Sequence, residues 1–121
     1  TGVKIDVALG DFAFLTPAHW PAGAQLVQVR NTGDADHLML IAHLHPGATM
    51  RDFVDTETPA KVADPAIGVS RMSAGKTAFL PMHLVPGHYV LYCLIKDPAT
   101  KKSHMELGMM REIEVDANGS R

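Results

Sequence analysis

The chain has 121 residues, 46% of them hydrophobic and 20% charged, with a formal net charge of −2. That is the size and balance of one globular domain with its own core, read here as a single domain over residues 1–121. The even mixing of charge argues against a nucleic-acid partner, which needs a basic face, and no apolar run approaches the roughly 20 residues that cross a bilayer.

The opening stretch, Thr1 to Gly10, lacks the basic and apolar regions of a secretory leader. A mature exported protein reads this way, and so does a chain trimmed at its start; a periplasmic or otherwise exported location is the expectation. The tail Ala117 to Arg121 receives no structural weight. A lone cysteine, Cys93, rules out an internal disulfide. Seven His and seven Met are many for a chain this small and point weakly to soft-metal chemistry.

Taken in order, the apolar residues recur with period two. Val3, Ile5 and Val7 alternate with Lys4 and Asp6, which predicts a half-buried strand. The pattern continues through Phe12 and Phe14 until Pro17 and Pro21 break it around Trp20. Residues 24–31 alternate again, and Asn31-Thr32-Gly33 supplies turn chemistry. A fourth strand runs from His37 to His45, closed by Pro46-Gly47. Residues 49–57 predict one short helix, with Thr49 as N-cap and Asp52 completing a capping box. Residues 58–75 hold two prolines and two glycines and read as an irregular crossing loop. Strands at 76–84, 87–95 and 108–115 complete the chain. Pro81 marks an edge or a bulge, and Pro86-Gly87 a tight corner. About seven short strands with one helix predict an all-β, antiparallel Greek-key sandwich.

Four side chains carry the chemistry. Cys93 shares a strand face with Tyr89, Leu91 and Ile95, where a bare thiolate would cost several kcal/mol, so it is protonated or bound to a cation. His37 follows the turn at 31–36. His104 comes after ten intervening residues from Cys93, and Met109 after four more. Each has a plainer reading: a core thiol, a turn residue, a loop imidazole and a core thioether. Together, two imidazoles, a thiolate and a thioether form a donor set suited to copper.

On these pieces, Asn31-Thr32-Gly33 with His37 soon after, "PGHYVLYC" ending at Cys93, then His104, Gly108-Met109 and a closing strand, the chain resembles the cupredoxins, the blue or type 1 copper proteins. The resemblance covers nearly the whole chain in strand order. It implies a cupredoxin-like fold, one copper ion cycling between Cu(I) and Cu(II), and ligands His37, Cys93, His104 and axial Met109. It also implies single-electron transfer between redox partner proteins, without enzymatic turnover or a small-molecule substrate. The departure from the pattern is the ten-residue spacer between Cys93 and His104, longer than the family's usual two to four. Its Asp97-Pro98 start suits a segment folding back to return His104 to Cys93.

Other readings belong beside this one. The same fold serves as a metal-free interaction module or subunit, or in copper storage and delivery. A thiol enzyme would use Cys93 with His104 or His37, but no hydrolase or phosphate-loop motif accompanies it. His43 and His45 share a strand face and suit zinc, but lack a third ligand. His83 and His88 are expected at the surface. A solvent-facing edge of His104 is expected as the electron port, with an apolar docking rim drawn from Met39, Met82, Met105 and Met110, two or three of which are expected in the core instead.

Overall fold

The computed structural model describes residues 3–116, so the tail read above lies outside the described residues. Nine strands and one short α-helix follow in the order β1 (Val3–Gly10), β2 (Ala13–Leu15), β3 (His19–Pro21), β4 (Gln25–Asn31), β5 (His37–Leu44), α1 (Met50–Asp55), β6 (Ala63–Met72), β7 (Thr77–Met82), β8 (Gly87–Tyr92) and β9 (Met110–Asp116). They form a four-stranded sheet, β2-β1-β4-β7, and a five-stranded sheet, β3-β9-β8-β5-β6.

The alternation in the sequence decides what lies between the sheets. Ile5, Val7 and Leu9 of β1 and Val27 and Val29 of β4 face Met39, Ile41, Tyr89, Leu91, Ile113 and Val115 from the other sheet. Each such side chain, fully buried, contributes about 1.5–3 kcal/mol through area removed from water. The other face of the five-stranded sheet carries a smaller cluster, Ala42, Leu44, Ala63 and Val90, onto which α1 sets Phe53. The capping box forms as predicted: Asp52 N donates to Thr49 Oγ1 at 3.1 Å, and Thr49 N donates to Asp52 Oδ2 at 2.9 Å.

Three expectations change. The sandwich is mixed rather than antiparallel, because β1 pairs parallel with β4 and β3 parallel with β9. Residues 11–24 lie between β1 and β4, enough chain for the crossover a parallel pair requires. The run through Phe12 is not continuous strand: Asp11 and Phe12 form the turn between β1 and β2, with Phe12 at φ 69°. The segment read as a crossing loop holds a 3-10 turn (Pro59–Lys61) and then β6. Its Pro65 fits a strand because β6 is a sheet edge and Pro65 stands opposite Ala42 at a register shift in the pairing. Pro81 likewise lies in the edge strand β7, as expected.

Candidate metal centre

The site sits where β5 begins and β8 ends. His37 is the first residue of β5, and the preceding segment is held by side chains rather than by a ladder. Buried Asn31 donates through Nδ2 to Ala35 O (2.9 Å) and Met72 O (3.0 Å) and accepts from Gly33 N (3.0 Å). The turn residue read from the sequence is therefore an internal brace that sets where β5 starts.

Cys93 follows β8 directly, and Cys93 N donates to Met109 O at 3.3 Å. The spacer then folds back. Lys96 bridges Ser103, Asp97 N donates to Lys102 O (2.7 Å), and Asp97 Oδ2 accepts from Thr100 N (3.0 Å) and Thr100 Oγ1 (2.9 Å). His104 N donates to Ile95 O (2.7 Å) and Met105 N to Cys93 O (2.8 Å), so the long spacer ends beside its own root. The segment 103–109 turns tightly, with Ser103 and Glu106 exchanging backbone-to-side-chain bonds at 2.9 and 3.1 Å. Ser-x-x-Glu was a signal available in the sequence. Gly108, at φ 109°, makes the corner in a region that side chains rarely adopt, and Met109 N returns to His104 O at 2.8 Å.

These paths bring three donors together. His37 Nδ1 lies 3.2 Å from His104 Nδ1, and Cys93 Sγ lies 3.6 Å from His104 Nδ1. One donor atom from each of the three residues falls within 4.8 Å of the others. His37, Cys93 and Met109 are 0% exposed and His104 1%. Met109 joins through its backbone bonds to both Cys93 and His104 and through its place in the same core cluster.

Burial, and next the neighbouring His37, hold the His104 pKa below the ordinary imidazole value, which keeps the ring neutral and available as a donor. On its far side, His37 Nε2 lies 2.9 Å from Asp11 Oδ1. Asp11 accepts from the backbone N–H groups of Asp34 and Ala35, and these bonds, in that order, depress its pKa, so it is a carboxylate and His37 Nε2 is the donor. Nε2 of His37 is thus turned outward to Asp11, and Nδ1 faces inward toward His104. Two imidazole nitrogens and a sulfur, converging in a dry pocket, fit a borderline-to-soft metal ion.

Phe12 closes the site from outside, its ring edge-on to His104 at 4.9 Å and to His37 at 6.4 Å. The expected solvent-facing edge of His104 is therefore not found; the imidazole is covered. Met39 and Met82 are core residues and Met105 packs in the smaller cluster beneath α1, in line with the expectation that two or three of the four methionines are core. His83 and His88 are exposed, as expected. His43 and His45 form no metal group among the described residues: His43 stacks on Tyr89, and His45 is bonded to Lys61 O and Asp64. A second group of donors, His19, Glu114 and Asp116, is partly or fully exposed and is accounted for by a direct His19–Asp116 bond of 3.0 Å. Asp11 and Phe12 escaped the sequence reading because nothing local links a β1–β2 turn to residues 37 and 104.

No protein-family model matches the sequence, and no curated protein sequence is significantly similar to it. Solved structures are similar. A dithionite-reduced auracyanin from Roseiflexus castenholzii superposes with a TM-score of 0.63 at 20% identity, covering 95% of this chain and 98% of that one. Auracyanin A, a "blue" copper protein from Chloroflexus aurantiacus, gives 0.65 at 12% identity over 96% and 100%. Reduced rusticyanin gives 0.65 at 20% identity over 95% and 79%. The chain therefore has the cupredoxin fold.

Proposed function

We propose that the protein binds one copper ion through His37 Nδ1, Cys93 Sγ and His104 Nδ1, with Met109 as a weak axial donor, and carries single electrons between redox proteins. The observation that carries this reading is the convergence of two imidazole nitrogens and the only thiol within 4.8 Å, all fully or almost fully buried. The solved neighbours auracyanin A, a "blue" copper protein, and rusticyanin support it.

Bound there, copper would supply a one-electron couple: an electron arrives from a reduced partner and leaves to an oxidised one, with no bond made or broken in the protein. The residues do the rest. Cys93 provides the anionic donor, and the bonds joining residues 93, 95, 104, 105 and 109 hold its surroundings fixed while charge changes. Phe12 excludes water from the imidazoles. A rigid, dry setting lowers the reorganisation that accompanies electron transfer, the property a carrier needs. With His104 covered, electrons enter and leave across Phe12 or through the backbone near His104.

A thiol enzyme needs an accessible nucleophile, and Cys93 is 0% exposed. No described helix is long and apolar enough to cross a membrane, and an exported, periplasmic setting suits a carrier of this kind. The test is copper analysis with voltammetry: one equivalent retained after desalting and a reversible one-electron wave are expected. Tight Cu(I) retention without a reversible wave would indicate storage or delivery instead, and absence of copper would leave a metal-free interaction module.

A further inference from the structure

The turn between β1 and β2 reaches both imidazoles. Asp11 bonds to His37 Nε2, and Phe12, in the left-handed region, lies edge-on to His104. A non-glycine residue at positive φ is uncommon and is held in place by its surroundings. The Asp11 carboxylate is fixed in turn: Oδ1 accepts from Asp34 N (3.1 Å) and Ala35 N (3.1 Å), and Oδ2 from Asp34 N (3.0 Å). A Cβ at Gly33 would collide with this carboxylate, so position 33 must be glycine for Asp11 to reach in. One side chain therefore anchors both the approach to β5 and the ring that begins it.

We propose that Asp11 is a positioning residue for the metal centre: it fixes His37 with its proton on Nε2 and its Nδ1 lone pair inward, and it favours the oxidised over the reduced metal. The second half rests on the copper reading above. A carboxylate that accepts a ligand histidine's outer N–H orients the ring and raises its donor strength, and loss of such a partner typically costs about 10–100-fold in metal affinity. A stronger donor stabilises the more highly charged ion. Cu(II) therefore gains more than Cu(I), and Asp11 holds the midpoint potential down.

The experiment has a metal-free arm and a copper arm. In the metal-free protein, long-range 1H–15N correlation of the imidazoles should place the His37 proton on Nε2, and Asp11→Ala should shift the ring toward the other tautomer or a mixture. A wild-type proton on Nδ1 overturns the proposal. In the copper-loaded protein, Asp11→Asn keeps an acceptor but removes the charge. It should lower the preference for Cu(II) over Cu(I) about tenfold, a rise in midpoint of about 59 mV for one electron, and Asp11→Glu should restore part of it. A potential unchanged within about twofold in that preference overturns the electrostatic half, and it does so even if Asp11→Ala fails to fold. A wild-type protein that takes up no copper overturns the carrier reading, while the ring-nitrogen measurement still decides what Asp11 does.

Discussion

Strand β5 presents a histidine at its start and two more around its end, and what those imidazoles meet differs sharply. At the start, His37 is buried, its outer nitrogen is used by Asp11, and its inner nitrogen faces a second imidazole beside a thiol. At the other end, His43 lies flat on Tyr89, ring centroids 4.4 Å apart at 15°. His45, just past the strand, has both nitrogens engaged, by Lys61 O and Asp64 Oδ1, each at 3.0 Å. The number of histidines therefore says little. What marks a metal centre is a set of donor atoms from several residues that face one another, converging where water is excluded.

That contrast breaks most visibly if the wrong end binds metal. His37→Ala or Cys93→Ser should lose copper altogether, whereas His45→Ala should keep one equivalent, measured by copper analysis after gel filtration. Copper lost equally from His45→Ala would erase the distinction. A smaller effect is expected at the axial position. Met109→Leu should retain copper and raise the reduction potential, since removing a weak axial donor disfavours Cu(II) while leaving the other ligands in place. Loss of the metal in that variant would show that Met109 is needed structurally.

Phe12→Ala sharpens the contrast from the outside. Removing a half-buried ring should cost about 1–3 kcal/mol, less than a fully buried Phe→Ala. It should also let the His104 pKa rise toward the ordinary value, because burial is the first cause of its depression. Chemical denaturation gives the first quantity, and an NMR titration of the ring protons in the metal-free protein gives the second.

The smallest effect lies at the far end. Asp64, followed by the Lys61 carbonyl, raises the His45 pKa above 6.5. A raised histidine pKa gives stability that is fully present below the unfolded value and is lost as pH rises through the folded one. Asp64→Asn should therefore lower the melting temperature slightly at about pH 5.5 and leave it unchanged at about pH 8.5. An equal loss at both values would mean the pair acts through packing rather than charge.

Much of this was legible in residues, and the failures share a cause. Val3, Ile5 and Val7 follow period two because that strand buries one face, β5 and β8 are apolar enough to feed a cluster on each face of their sheet, and Thr49 with Asp52 is a local signal that forms a local structure. The four candidate donors could be named for the same reason: each residue type has its own chemistry. Missed were β6, whose Pro65 and Gly68 read as loop until its edge position is known, and the parallel pairings, which depend on contacts distant in sequence. Asp11 and Phe12 belong to that class. Their role exists only once β1 lies beside the residues leading into β5, and that same closure covers the edge of His104 that was expected to face solvent.

The central claim, that Cys93 and the two facing imidazoles hold one copper ion, is tested most directly by visible absorption during Cu(II) titration of the purified protein. The account predicts an intense thiolate-to-copper band that grows linearly and stops at one equivalent. A protein that stays colourless, with no copper bound after desalting, would contradict it.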